Sequence, residues 1–429
     1  MNRRTFLHNS FAAGLTLAGV PAMSFWPEED FPVQRITDGS HYCWFGYYDK
    51  LATDPTGRYV LGQRVPFEGR SPEADDLLSI GMIDLQNANK WIELGTSRAW
   101  GWQQGCMLQW VPGSSEEVIW NDRSSPGRAT PGGYVSRVYN IRTKKQRTLP
   151  KAIYALAPNG QFAVGTEFNR IQNLRPGYGY AGVPDPHEAE KAPAEIGLYR
   201  MDLKTGQSKL LISIADMANT PHQGESVADN WHWFNHLLVS PDSKRVEFLH
   251  RWRNVLEDRQ RMATSNFVTR MVTAQVDGSD RYIVDPSGNS SHFVWRDPEH
   301  LLVWTKPIGK EWGFWLLKDK TQESTHIGAE KMPINGHNTY VPNTNNEWVL
   351  NDTYPNKERV QTLYLYHIPT DRRVVLGKFL SPPQYKAEWR CDLHPRCDQA
   401  GTKVFFDSTH EKLGRQMYCL DISKIVRQG

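Results

Sequence analysis

Short apolar segments separated by polar turns recur along the whole chain. The clearest unit runs from residue 235 to residue 252, where an apolar strand, the turn Ser240-Pro241-Asp242-Ser243 and a second apolar strand follow one another. Pro241 presets φ for a tight turn, and the Asp242 and Ser243 side chains are of the type that hydrogen-bonds to nearby backbone. Related turns lie at residues 53–58, 111–114, 157–160, 240–243, 296–299, 341–344 and 398–401.

Each of the seven turns leads into an apolar strand, and several repeats continue with a third strand, a polar turn and a fourth strand. A single four-stranded meander cannot bury its own faces, whereas seven arranged around an axis bury them against one another. The repeat therefore predicts an all-β fold, a seven-bladed β-propeller, over residues 26–429. The last repeat stops after a third strand at 416–420, so we expect the early segment 33–36 to close the ring. A β-sandwich with additional domains has the same strand spacing and is the alternative.

The first 25 residues have the pattern of an export signal. Arg3-Arg4 precedes an apolar run from Phe11 to Val20, and small residues follow it. This predicts a twin-arginine signal over residues 1–25 and a periplasmic or secreted protein. An ordinary secretory signal with a chance arginine pair is the alternative and leads to the same side of the membrane. No run is long and apolar enough to predict a membrane span.

Charge and cysteine content add little to this picture. The 50 Lys and Arg residues nearly balance the 47 Asp and Glu residues, so nothing indicates a nucleic-acid partner and we expect none. Five cysteines allow at most two disulfides. Cys391 and Cys397 flank His394 as potential thiolate ligands, but buried free thiols in strands are the interpretation we favour.

Histidine recurs at one position of the repeat in the last four blades. His236 and His337 lie five residues before the turn proline, His292 lies six before it, and His394 lies five before Gln399, which replaces the proline. This position is near the start of the innermost strand, where side chains face the central channel. Histidine makes up 14 of 429 residues, about one in thirty, so four equivalent histidines indicate a functional set. The first three blades carry Lys50, Met107 and Ile153 there.

Imidazoles that converge in this way have two chemical uses. They can bind a divalent transition metal through neutral nitrogens, and one of them can act as a general base near neutral pH. Filling the channel and hydrogen-bonding to its water is the structural alternative. Further basic residues extend the set, and a planar guanidinium matches a carboxylate in bidentate fashion, which predicts an anionic substrate. These residues are His250, Arg251, Arg270 and Arg390.

Four short segments in the last four repeats carry a further pattern. They are Arg270-Met271 before the turn Asp277-Gly278-Ser279, the sequence SHFVW from Ser291 to Trp295, Gly336-His337-Asn338, and Asp392-Leu393-His394-Pro395. In these segments the chain resembles the oligogalacturonate lyase family. That resemblance implies a β-propeller that cleaves short uronate oligomers by β-elimination with a bound divalent metal such as manganese. The first three repeats show only the general propeller pattern.

Carried over position by position, the resemblance implies catalytic roles for two residues. His292 stands where the family has its base, and Arg270 stands where the family has an arginine that binds substrate. His236, His250, Arg251 and Arg390 are the further residues that we expect to bind an acidic oligosaccharide.

The resemblance also implies a Mn²⁺ site, with two departures from the family pattern. His337 and His394 match metal ligands, and Asp392 replaces a third histidine with an oxygen ligand that manganese accepts. Trp389 replaces a glutamine ligand and so removes one donor. The metal site is therefore expected to be altered or weakened, and other uronate-acting propellers remain open as relatives.

Two other functions fit the same scaffold. A glycoside hydrolase needs paired carboxylates, for which the candidates are Asp49, Asp122, Asp352, Asp392 and Asp407. A non-catalytic propeller that binds a glycan or assembles partners is the other possibility, since fold alone does not decide function.

One long insert stands apart from the repeat. Residues 170–193, rich in Gly, Pro and Tyr, form a loop of a length that is functional or disordered in most proteins. Either the insert covers one mouth of the channel and offers Tyr178 or Tyr180 to a sugar, or it is a mobile surface loop. The segment 254–267 is similar, though more charged and helical in pattern.

Overall fold

Seven four-stranded antiparallel sheets make up the computed structural model, which describes residues 31–124, 133–256 and 267–427. The all-β seven-bladed propeller predicted from the repeat is thereby confirmed. The export signal predicted over residues 1–25 lies outside the described residues, as does most of the segment 254–267. In the part of the chain that is described, no helix is long and apolar enough to span a bilayer.

Each blade is a meander that runs from the inner to the outer strand. Blade 1 contains the strands Tyr42–Trp44, Tyr59–Val65, Leu78–Asp84 and Lys90–Ser97, and blade 2 contains Gln109–Trp110, Glu117–Arg123, Tyr134–Asn140 and Gln146–Leu149. Blade 3 contains Ala155–Leu156, Phe162–Gly165, Gly197–Asp202 and Ser208–Ser213. Blade 4 contains Trp231–Val239, Arg245–Arg253, Val268–Gln275 and Tyr282–Asp285. Blade 5 contains Phe293–Asp297, His300–Thr305, Gly313–Lys318 and Ser324–Ile327; blade 6 contains Thr339–Tyr340, Trp348–Asn351, Val360–His367 and Arg372–Leu380.

Blade 7 is built from both ends of the propeller. Its strands Arg396–Cys397, Lys403–Ser408 and Gln416–Asp421 are completed by Gln34–Arg35. Gln34 pairs with Cys419 and Arg35 with Tyr418 in antiparallel register. The prediction that the early segment closes the ring is confirmed.

The turn that defines the repeat has the hydrogen bonds its sequence predicts. Ser243 donates its backbone N–H to the Ser240 carbonyl at 2.8 Å, and the Ser240 hydroxyl donates to Asp242 Oδ1 at 2.7 Å. The Arg245 backbone N–H donates to the Ser240 hydroxyl at 2.9 Å, which starts the next strand directly after the turn. Local side-chain bonds thus fix the register between the two inner strands.

Aromatic side chains fill the space between blades. Trp44 lies 5.8 Å from Trp100 and 5.2 Å from Trp102 between ring centroids, all three on the interface of the first two blades. Burial of such large apolar surfaces is the main favourable term in holding the blades together.

Within the described residues, four short helical segments lie between or after the strands. They are α1, Phe168–Leu174; α2, Ile214–Ala218; a 3₁₀ turn, Ala387–Trp389; and α3, Ser423–Val426. Helix α2 begins with a capping box, in which Ser213 and Asp216 each accept the backbone N–H of the other. Helix α1 opens the insert predicted at 170–193, which is therefore ordered structure.

Candidate active site

A loop from blade 1 enters the central channel. Trp44 pairs with Gln63, but the inner strand pairs again only at Thr53 with Val60, so residues 45–51 leave the sheet. We call these residues the axial loop. Its Gly46 has φ +125°, and a Cβ there would lie 3.0 Å from the Gln104 carbonyl oxygen. Glycine is therefore required for this close approach.

The axial loop places two tyrosines against the histidines of the other blades. The Tyr47 ring centroid lies 5.2 Å from that of His236 and 5.0 Å from that of His394. The Tyr48 hydroxyl donates to the Phe293 carbonyl at 3.0 Å and accepts the Phe293 N–H at 3.1 Å, which anchors the loop to blade 5. Repeat alignment did not reveal either tyrosine, because the axial loop is an interruption of the repeat.

The structure brings the four predicted histidines together at the axis. The His337 ring centroid lies 4.2 Å from that of His292 and 4.3 Å from that of His394, and Tyr47 connects His236 to the set. His236 and His394 both have a left-handed backbone, with φ +51° and +43°, and Met107 of blade 2 has φ +56°. Three of the seven equivalent positions thus share a left-handed backbone conformation.

Three of the predicted residues form a group that fits a divalent cation. Ligand atoms of His337, Asp392 and His394 all lie within 4.8 Å of one another, and all three residues are buried. His337 Nδ1 lies 3.0 Å from both Asp352 carboxylate oxygens and must donate to them, which leaves Nε2 as an acceptor. The Nε2 atoms of His337 and His394 have no hydrogen-bond partner. A carboxylate that orients a histidine in this way is typical of metal sites.

The surroundings of His394 favour the neutral imidazole that a cation needs. Burial, followed by the neighbouring His337 and Arg390, holds the pKa of His394 well below its usual value, so its imidazole is neutral at neutral pH.

The two cysteines that flank His394 in the sequence are not thiolates. Burial raises the pKa of Cys391 and Cys397, so both remain thiols. Like the other described cysteines, they form no disulfide.

A cavity of about 680 Å³ opens beside the histidine set. Its lining includes cationic and aromatic side chains, among them Arg175, Arg251, Arg253, Arg390, Trp304 and Trp312. Arg251 is fully buried, and desolvation together with Arg175 lowers its pKa to about 9. Such a lining suits an anionic sugar, because guanidinium groups bind carboxylates and indole rings stack on sugar faces.

Arg390 links the cavity to the cation-binding group. Its Nε donates to Asp392 Oδ2 at 2.7 Å, and its Nη2 donates to the Tyr178 hydroxyl at 2.8 Å. Burial disfavours its charge, but Asp392, Tyr178 and Tyr354 together raise its pKa well above the usual value. Arg390 is therefore a fixed cation between the cavity and the cation-binding group.

His292 lines the same cavity and has the state of a base. Its Nδ1 lies 2.9 Å from Asn335 Oδ1 and donates to it, so Nε2 is left unprotonated, 3.4 Å from the Tyr354 hydroxyl. Burial, then the nearby His337, lowers its pKa well below the usual value, so the ring is neutral. His236 also lines the cavity, with Nδ1 3.3 Å from the Gln104 side-chain amide.

The insert supplies one of its two predicted tyrosines to the cavity. Tyr178 lines the cavity and accepts the Arg390 hydrogen bond. Tyr180 instead stacks on Phe168 at 4.2 Å between centroids and bonds the Asn121 amide at 3.0 Å. Two tyrosines two residues apart thus have different surroundings: one lines the cavity and the other packs inside the insert.

Comparison with known proteins supports a likeness in structure and none in sequence. No protein-family model matches the chain, and no curated protein matches it in sequence. Oligogalacturonate lyase from Vibrio parahaemolyticus superposes with a TM-score of 0.62 at 15% identity, covering 91% of this chain and 94% of that chain. An oligogalacturonate lyase in complex with manganese gives a TM-score of 0.62 at 15% identity, covering 92% and 94%. The chain has an oligogalacturonate lyase-like fold.

The oligogalacturonate lyase-like fold is shared more widely. The tricorn protease superposes with a TM-score of 0.51 at 10% identity, covering 94% of this chain and 35% of that chain. The resemblance that the sequence indicated is thus confirmed for the fold, and activity has to be argued from the site.

Two predicted site residues, Arg270 from the family resemblance and His250 from the basic set, lie outside the lining of the cavity. Arg270 donates to the Met217, Thr220 and Pro221 carbonyls at 2.6–3.0 Å, and its Nε lies 3.1 Å from His250 Nδ1. His250 in turn lies 2.8 Å from His232. His250 and Arg270 are register partners, and strand alternation turns their shared face away from the one on which Arg251 lines the cavity.

Trp389, which replaces a glutamine ligand of the family pattern, lies away from the cation-binding group. Trp389 ends the 3₁₀ turn and donates its indole N–H to the Gln384 carbonyl at 3.1 Å, outside the cation-binding group. Asp392 by contrast lies within the group.

The carboxylates considered for hydrolysis each lie beside a basic residue. Ion pairs join Asp49 to Lys50 at 2.6 Å, Asp122 to Arg137 at 3.0 Å, Asp392 to Arg390 at 2.7 Å and Asp407 to Arg396 at 2.8 Å, and Asp352 accepts a hydrogen bond from His337 at 3.0 Å. This arrangement does not favour a hydrolase with two facing carboxyl groups.

Proposed function

We propose that the protein is a lyase that cleaves a uronic-acid-containing oligosaccharide by metal-assisted β-elimination. One observation carries the proposal: a neutral histidine base and a fixed arginine line the same cavity, and each contacts a residue of the buried cation-binding group. The base is His292, and its ring lies 4.2 Å from that of His337. The oligogalacturonate lyase-like fold, with manganese bound in one such neighbour, supports the same conclusion.

The chemistry requires removal of a weakly acidic proton from the carbon next to a carboxylate. Arg390 would bind that carboxylate at the cavity wall and stabilise the charge that develops on it. Arg251 and His236 would hold the sugar from blade 4. A divalent cation bound by His337, Asp392 and His394, with Mn²⁺ the candidate, would supply further positive charge beside the carboxylate.

His292 would take the proton at C5. Its Nε2 is the free acceptor, because Asn335 holds the proton of Nδ1. A positioned base of this type contributes about 10²–10⁴-fold to the rate. Export by the signal predicted at residues 1–25 would place the reaction outside the cytoplasm.

The test is a screen of uronate oligosaccharides for the ultraviolet absorbance of a new C4=C5 double bond. We expect wild-type protein supplied with Mn²⁺ to form this product and His292→Ala to lose it, since no other described group replaces the C5 base. His41→Ala is the matched control and should behave as wild type, because His41 is partly exposed and lies just before the first strand of blade 1.

Other outcomes would point to the other functions. New reducing ends without a double bond would indicate hydrolysis. Binding of a glycan with no cleavage by any preparation would indicate a non-catalytic propeller.

A further inference from the structure

We propose that Tyr178 is a second catalytic residue, which donates a proton to the sugar oxygen that departs in the elimination. This inference rests on the proposed function and assigns a role to the insert. β-Elimination needs two proton transfers, one from C5 and one to the leaving oxygen, and His292 accounts only for the first.

The insert holds Tyr178 in a fixed position. Arg170, at the start of the insert, donates to the carbonyls of His187, Glu190, Lys191 and His232 at 2.7–3.1 Å. Gly179 packs so closely on α1 that a Cβ would lie 2.2 Å from the Phe168 carbonyl oxygen. The tip that carries Tyr178 is therefore packed against α1, and the bond from Arg170 to the His232 carbonyl ties α1 to blade 4.

Tyr178 and His292 line the same cavity, and contacts connect both of them to Arg390. The Arg390 guanidinium bonds the Tyr178 hydroxyl at 2.8 Å and lies 5.9 Å from the Tyr354 ring centroid, and Tyr354 in turn reaches His292 at 3.4 Å. A uronate whose carboxylate is bound by Arg390 would thus have both a base and a phenol in the same cavity. Removal of the C5 proton and protonation of the 4-linked oxygen require these two groups.

Neighbouring charges favour the loss of a proton from Tyr178. Burial alone would raise its pKa, as it does for Tyr47 and Tyr354, but Arg390 and Arg175 outweigh burial and lower it. The Arg175 guanidinium lies 4.0 Å from the Tyr178 ring centroid. The charged and titratable groups around this ring are Arg390, Arg175, Arg251, Asp392, Tyr47, Tyr354 and His236.

The step balances without any added reactant. His292 Nε2 takes the C5 proton, the electrons of the C5–H bond form the C4=C5 bond, and the C4–O4 bond breaks. The O4 atom of the departing sugar takes the proton of the Tyr178 hydroxyl, and Arg390 and Arg175 stabilise the phenolate that remains. Water then returns a proton to Tyr178 and removes one from His292.

The experiment compares two leaving groups in Tyr178→Phe. With a sugar as the leaving group we expect kcat to fall about 10²–10³-fold with little change in KM. With a uronate that carries a nitrophenyl ether at C4, the leaving group needs no proton, and we expect the activity of the variant to match that of wild type. His292→Ala should lose activity on both substrates, and Tyr180→Phe, outside the cavity, should lose it on neither.

Each result decides the question. An equal loss on both substrates, or no loss on the sugar substrate, would overturn the role of Tyr178 and leave the lyase proposal intact. A wild-type protein that forms no double bond with any uronate would overturn the lyase proposal itself, and the role of Tyr178 with it.

Discussion

At the scale of single residues, the site depends on which nitrogen of each imidazole is free. Asp352 bonds both the backbone N–H and the Nδ1 of His337, so one carboxylate sets the position and the tautomer of this side chain. Asn335 does the same for His292 through a neutral amide. The different partners suit different roles, because a carboxylate makes the ring a stronger ligand and an amide leaves it a neutral base.

Replacing the carboxylate should therefore weaken cation binding. In Asp352→Asn we expect Mn²⁺ affinity to fall about 10–100-fold, because the amide no longer fixes and polarises His337. Calorimetric titration of the purified protein with Mn²⁺ measures this. Asp277→Asn, in an exposed turn of blade 4, is the control and should bind Mn²⁺ as wild type does. Equal affinities in the two variants would show that Asp352 has no part in the site.

At the scale of elements, the sequence predicted the residues that occupy a position of the repeat, and it did not predict the segments that interrupt the repeat. The four histidines were found because they occupy one repeat position, and the cation-binding group because the family resemblance included it. The axial loop, Asn335 and Tyr354 lie between repeat elements, where no periodicity exists to place them. Arg270 was placed at the site by the family resemblance and His250 by its place in a strand beside Arg251, and neither argument shows which face of a strand meets the cavity.

The insert is the element whose order can be tested directly. Arg170 is 1% exposed and also pairs with Asp185 at 3.3 Å. In Arg170→Met the carbonyls and the Asp185 carboxylate lose their partner, so we expect the free energy of unfolding to fall by about 3–5 kcal/mol. Urea denaturation measures the loss. Arg142→Met, whose side chain is 76% exposed, should change stability little.

At the scale of the whole molecule, burial of neutral histidines makes stability depend on pH. Burial lowers the pKa of His232 to about 4 and that of His250 well below its usual value. In the unfolded chain each returns to a pKa of about 6.5, so below that pH the unfolded state binds more protons than the folded state. The stabilisation is therefore present above about pH 6.5 and is lost as the pH falls toward the folded pKa.

We accordingly expect the free energy of unfolding to decrease between about pH 7 and pH 5. Urea denaturation of the chelator-treated protein over this range measures the slope without a contribution from bound metal. A flat profile would mean that these histidines are protonated in the folded state.

Blade 7 pairs residues 34 and 35 with residues 418 and 419, so two segments from opposite ends of the sequence share one sheet. During synthesis the first of these segments leaves the ribosome long before its partner exists. Until residues 416–421 emerge, the growing chain has no complete seventh sheet and its circle of blades stays open. The unpaired edges of such an intermediate are what chaperones and proteases recognise. Joining the two ends is thus the step at which a nascent chain becomes a finished molecule.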